Sequence, residues 1–196
     1  MKKILFPLLS VLLIAVVLFG ASWALWGVAQ ANAQKERIRL LQTVLPGSKT
    51  FTLETYTGED ANIHSVHKGE TGFVIETRTN GYAGEIAMLI GVSNEGKVTG
   101  LTVLSMSETL GLGANALTDH GFLAQFLNTG GDVAIQTGDA DAFSGATGSA
   151  GSEDSIYVDG ITGATVTSKA IARSINSAVA YVTGADADSG ATSWGG

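Results

Sequence analysis

Apolar and polar positions along this chain fall into blocks, each favouring one kind of element. From Ile4 to Ala29 there is no charged residue, and the run is rich in Leu, Val, Ile and Ala. Roughly 20 apolar residues cross a bilayer as a helix, so this run is long enough to span one. Ile38, Leu41, Val44 and Leu45 then lie at helical spacing and Pro46-Gly47 stops them, which predicts a short helix after the span. Strand patterns follow over residues 51–56, 72–79, 85–92 and 97–105, with Asn94-Glu95-Gly96 as a tight turn joining the last two into a hairpin. Phe122, Leu123, Phe126 and Leu127 predict another short helix, and residues 133–136 another strand. After the apolar run Ile156-Tyr157-Val158, the positions Ile171, Ile175, Ala178, Val179 and Val182 form one helical face, predicting a helix that starts near Thr167. Residues 138–155 and 184–196, rich in Gly, Ala, Ser and Asp, predict a loop and a mobile tail.

The expected fold class is therefore α+β. One N-terminal transmembrane helix precedes a single domain with an antiparallel sheet and flanking helices. The expected boundaries are 1–30 for the cytoplasmic N-terminus and anchor, 31–183 for the domain and 184–196 for the tail. A chain of 196 residues has room for that one core beside an anchor.

Charge and cysteine usage narrow the function. A net charge of −7 and an isoelectric point near 4.8 disfavour nucleic acid as a partner. Cysteine is absent, which excludes disulfides, thiol catalysis and Cys-ligated iron–sulfur clusters. Redox work would then need a bound organic cofactor. His64 and His67 have an offset that suits a metal on a helix, but their surroundings read as loop or strand, and exposed histidines are expected there and at His120. No metal site and no catalytic triad are expected.

At the N-terminus, Lys2 and Lys3 favour a cytoplasmic start, and Trp23 and Trp26 suit the opposite interface. Lys35, Arg37 and Arg39 weaken that asymmetry, and Ala31-Asn32-Ala33 resembles a signal-peptidase site. The apolar run exceeds the ~7 to 15 residues of a signal core, which favours an uncleaved single-pass anchor in the cell membrane. Under either reading the soluble part ends outside the cytoplasm.

The most informative stretch is residues 159–171, DGITGATVTSKAI. The first turn of a helix carries unpartnered N–H groups and a partial positive charge, which stabilise a phosphate. Gly163 and Ala164 let backbone approach a ligand, Thr165, Thr167 and Ser168 supply hydroxyls, and Lys169 and Arg173 add positive charge. On helix signals alone, Thr167 or Ser168 serves equally as a plain N-cap. Two similar cores test the pattern. Ser144-Gly145-Ala146-Thr147 leads to Ser149 with no helical periodicity after it, and Ser189-Gly190-Ala191-Thr192 has Trp194 at the acceptor position. Only the site at Thr167 lies between a strand pattern and a helix pattern.

Residues 159–167 resemble the Asp-x-x-Ser/Thr-Gly-Ala-Thr-x-Ser/Thr flavinylation motif of the FMN-binding domains in Rnf and Na+-translocating NADH:quinone oxidoreductase complexes. Two further stretches, Gly81-Tyr82-Ala83-Gly84 and residues 105–113, SMSETLGLG, are similar to stretches of RnfG-type proteins. The resemblance runs from about Ile38 to Val182. It departs at Leu110, where the family usually has proline, and at Met106, where histidine is common.

The resemblance implies FMN joined by a phosphoester to Thr167, installed from FAD by a flavin transferase, with Glu108, Thr109, Leu112 and Gly113 near the isoalloxazine. Tyr82 fits a flavin neighbour and a strand-end aromatic equally well. The function implied is electron transfer within a membrane-bound Rnf-type ferredoxin:NAD+ oxidoreductase, with other membrane subunits as partners. Such a protein carries electrons and is not a catalyst alone. The alternatives are a standalone membrane-anchored flavoprotein for extracellular electron transfer and a flavin-free binding module.

Overall fold

The computed structural model describes residues 2–108, 113–130, 133–136 and 156–184. The loop expected over 138–155, the Ser149 and Trp194 cores and residues 185–196 of the tail lie outside these. The chain divides into two compact units, residues 1–40 and 41–196. The first is the greater part of helix α1 (Lys2–Val44), of which the stretch Ile14–Val44 is long and apolar enough to cross a membrane. The short helix expected around Ile38 is the C-terminal end of this same helix, because nothing between Ala29 and Ile38 is a helix breaker.

The second unit is built on a five-stranded antiparallel meander: β1 (Thr52–Glu54), β2 (Ile63–Lys68), β3 (Gly72–Asn80), β4 (Glu85–Ser93) and β5 (Val98–Met106), adjacent in chain order. Alternation along β4 sorts its side chains. Ile86, Met88, Ile90 and Val92 face the main core, while Leu89 faces the other side with Val74 of β3. That second face is covered by Leu41, Val44 and Leu45, and Thr99 of β5 donates to the Val44 carbonyl at 2.7 Å.

The sequence pattern missed β2. Its register shifts between Ile63 and Ser65, and this irregularity breaks the two-residue period that would have marked it. It also buries His67, at 5 % exposure, so the expectation of exposed histidines fails there. His64 and His120 are exposed as expected.

Helices α2 (Gly113–Thr118) and α3 (His120–Ala124) follow the meander, α3 capped by Asp119, whose carboxylate accepts from the Gly121 and Phe122 amides. The strands β6 (Val133–Gln136) and β7 (Ile156–Asp159) then pair in parallel as a separate two-stranded sheet. Between this ribbon and the meander runs α4 (Thr165–Thr183).

Helix α4 is buried around most of its circumference, which the single apolar stripe did not foretell. Ile171 and Ile175 have no exposed surface, and Ser168, Ser174, Asn176 and Ser177 are buried with them. Each buried Ile contributes about 2 kcal/mol. The small polar residues find partners across the interface. Ser174 Oγ lies 2.9 Å from Thr79 Oγ1, and Asn62 donates to Ser177 Oγ at 3.2 Å. Asn176 completes the edge of β6, accepting from the Val133 N–H and donating to its carbonyl, both at 3.0 Å.

Replacing Asn176 with Leu strands the buried N–H and C=O of Val133. The expected cost is about 3 kcal/mol. A urea titration of the variant should show a lower midpoint, and an unchanged midpoint would contradict this role.

Candidate functional site

The site grows from the connection between β7 and α4. Ala164 N–H donates to the Ile161 carbonyl at 2.9 Å, closing a turn whose third residue, Gly163, has φ +78°. That geometry is of type II, where glycine avoids the Cβ clash of a left-handed backbone. Helix α4 begins directly after it. Ser168 N–H already donates to the Ala164 carbonyl at 2.8 Å, so Thr165, Val166 and Thr167 form the first turn. The helix thus starts two residues before the expected position, and Thr167 lies within it.

Ala164 stands at the N-cap and makes no side-chain cap. Among the described residues nothing accepts from the backbone N–H of Thr165, Val166 or Thr167. Alanine is a poor cap because it offers no acceptor, so these donors remain available to an anion. Ser168 does not join them. Its Oγ turns back to accept from the Ile161 N–H at 3.3 Å, and the residue is fully buried.

Thr167 is 1 % exposed, and its hydroxyl donates to Glu108 Oε2 at 2.8 Å. The other carboxylate oxygen of Glu108 accepts from the Ala83 N–H at 3.2 Å, in the connection between β3 and β4. Gly113, at the start of α2, completes the enclosure. A Cβ there would meet Glu108 Oε2, and would lie 2.6 Å from Thr167 Oγ1, so only glycine fits without displacement. Three segments distant in sequence therefore converge on one hydroxyl.

Beside this hydroxyl is a pocket of about 330 Å³, lined by Tyr82, Gly113, Gly163, Ala164, Thr165, Val166 and Thr167. It gathers most of the residues singled out from the sequence. Tyr82 stands at its edge, 73 % exposed and free to cover a flat ligand. Val166 was missed, though it lies inside the motif at a position where any residue is permitted. Thr109 and Leu112 lie outside the described residues.

The expected positive charges do not line the pocket. Lys169 is exposed, and Arg173 donates to the Asn80 carbonyl at 2.9 Å, with burial lowering its pKa from the ordinary arginine value. Among the described residues there is no group of three or more metal-ligating side chains.

An uncapped helix N-terminus opening on a pocket in a small α+β domain is suited to hold an anion. Residues 81–180 match the family described as FMN-binding domain. The chain belongs to that family, and its relatives there are G subunits of ion-translocating oxidoreductase complexes.

It is 34 % identical over 111 residues to the G subunit of the proton-translocating ferredoxin:NAD(+) oxidoreductase complex of Clostridium ljungdahlii, covering 57 % of this chain and 53 % of the relative. The G subunit of the Na(+)-translocating ferredoxin:NAD(+) oxidoreductase complex of Acetobacterium woodii is 33 % identical over 131 residues, 65 % of this chain and 54 % of the relative. The G subunit of the ion-translocating oxidoreductase complex of Methanosarcina acetivorans is 33 % identical over 165 residues, covering 78 % and 77 %. The chain spans about half the length of the first two relatives.

Replacing Gly163 with Ala forces a Cβ into the left-handed region. The expected loss is about 1 kcal/mol. Denaturant unfolding should register it as a lower midpoint with an unchanged slope.

Proposed function

We propose that this chain carries FMN esterified to Thr167 and serves as an electron-transfer subunit of a membrane-bound, Rnf-type ferredoxin:NAD+ oxidoreductase. The observation that carries the reading is the uncapped first turn of α4, which opens on the pocket with the Thr167 hydroxyl at its border. The residues suit the group. The Thr165, Val166 and Thr167 amides would hold its phosphate, Gly163 and Ala164 leave room for it, and Thr165 adds a hydroxyl. Gly113 lines the pocket beside Thr167, and Glu108 holds the Thr167 hydroxyl.

When bound, FMN supplies the redox chemistry, and the protein contributes position and electrostatics. A phosphoester requires an alcohol; Thr165 and Thr167 both line this space, and the motif's resemblance marks Thr167 as the one that carries the flavin. Ser168, committed to the Ile161 amide, is not an acceptor. A flavin transferase would install the nucleotide from FAD.

Helix α1 would anchor the chain by a single pass, with the domain outside the cytoplasm and the other membrane subunits of the complex as partners. The candidate span Ile14–Val44 supports the anchor, the names of the relatives support the complex, and Lys2 and Lys3 are the reason for placing the domain outside. Covalent attachment is of use there, because a dissociating cofactor released outside the membrane would be lost to the cell. Ion movement would belong to the partners, since one helix with no charged residue from Ile4 to Ala29 offers no ion pathway.

The test is the intact mass of the full chain, matured with a flavin transferase, before and after Thr167→Ala. The parent should carry the FMN increment and the variant should lack it. An increment that persists in Thr167→Ala would refute this acceptor. Tyr82→Ala should keep the increment and alter the absorption and fluorescence of the attached flavin, because the aromatic edge of the pocket is gone. An unchanged spectrum would remove Tyr82 from the site.

A further inference from the structure

We infer that Glu108 takes the proton from Thr167 when that hydroxyl is esterified, and so acts as the general base for the chain's own flavinylation. The inference rests on the reading of Thr167 as the acceptor. An alcohol is a weak nucleophile at neutral pH and is activated by a neighbouring proton acceptor within hydrogen-bond reach. Thr167 Oγ1 and Glu108 Oε2 are 2.8 Å apart, with the hydroxyl as donor. No other side chain among the described residues bonds that hydroxyl.

The carboxylate is held in place for this task. Its second oxygen is fixed by the Ala83 N–H, and the missing side chain of Gly113 leaves room for the first beside Thr167. A purely structural tie from the end of β5 to α4 could be made by any acceptor. A carboxylate is the one that also accepts the proton.

In the step, Thr167 Oγ bonds to the riboflavin-side phosphorus of an FAD pyrophosphate. The bond from that phosphorus to the bridging oxygen breaks, and the adenylate leaves with the oxygen. The Thr167 proton passes to Glu108 and then to solvent, and nothing is oxidised or reduced. The free N–H groups of the first turn of α4 would stabilise the negative charge that builds on the phosphoryl oxygens. Attachment also removes the O–H that Glu108 had accepted and puts an anion beside it, so the contact in this structure belongs to the unmodified chain.

The experiment follows flavin incorporation into the full-length chain with a flavin transferase and FAD, by intact mass and by fluorescence of the denatured protein. Glu108→Gln keeps the size of the side chain and an oxygen that accepts the hydroxyl, but has no basicity. Its loading should be slower by about 10²-fold, in the range that general bases contribute. Loading within about twofold of the parent would overturn the role of Glu108 while leaving Thr167 as acceptor.

Glu108→Ala supplies an independent reading. Added formate should accelerate its loading in proportion to concentration where chloride at equal ionic strength does not. A lost structural tie would not be rescued in this way, and absence of rescue counts against the inference. A parent chain that takes up flavin at another residue overturns both proposals.

Discussion

Burial of helix α4 on two sides is the constraint that places everything else. One side of it packs against β3 and β4 of the meander, and the other against β6 of the parallel ribbon. Ile171 and Ile175 supply the apolar part of that packing, while Ser174, Ser177 and Asn176 are matched to polar partners on either side. A helix pinned in this way cannot slide or rotate without stranding buried donors. Its N-terminal turn therefore holds a fixed place at the pocket, and the acceptor hydroxyl inherits its position from the core.

The division of labour along α4 is sharp. From Ala170 onward its buried residues hold the domain together, whereas Thr165, Val166 and Thr167 line the pocket and leave their amides uncommitted. Ala164 in place of a capping residue removes an internal competitor for those amides. The carboxylate of Glu108, reaching in from just beyond β5, meets the turn at its only buried hydroxyl that is not turned back on the loop before it.

Elements with a long apolar pattern bounded by turn residues were legible in the sequence. The strands β3, β4 and β5, the short helix around Phe122 and the apolar face of α4 all follow from spacing. β2 was not, because its register shift brings Ile63 and Val66, three residues apart, into the same core and hides the alternation. The parallel pairing of β6 with β7 was also hidden, since four-residue strands carry no signal of direction. Within the site, the Thr-Gly-Ala-Thr run marks a turn and a helix start by chemistry alone. The approach of Glu108 to Thr167 spans 59 residues and depends on the segment beyond β5 reaching the first turn of α4, which no local pattern encodes. Only the likeness to a known family put both residues in one site from sequence.

The near-complete burial of Thr167 has a consequence for the order of events in the life of the chain. A hydroxyl 1 % exposed and closed in by Glu108 and Gly113 is out of reach of a second protein while the fold stays shut. Modification must therefore come during a local opening that uncovers the hydroxyl to the transferase while its contact with Glu108 is kept. In the folded chain, maturation would keep time with that opening, and the same closure that delays attachment would afterwards shield the ester from water.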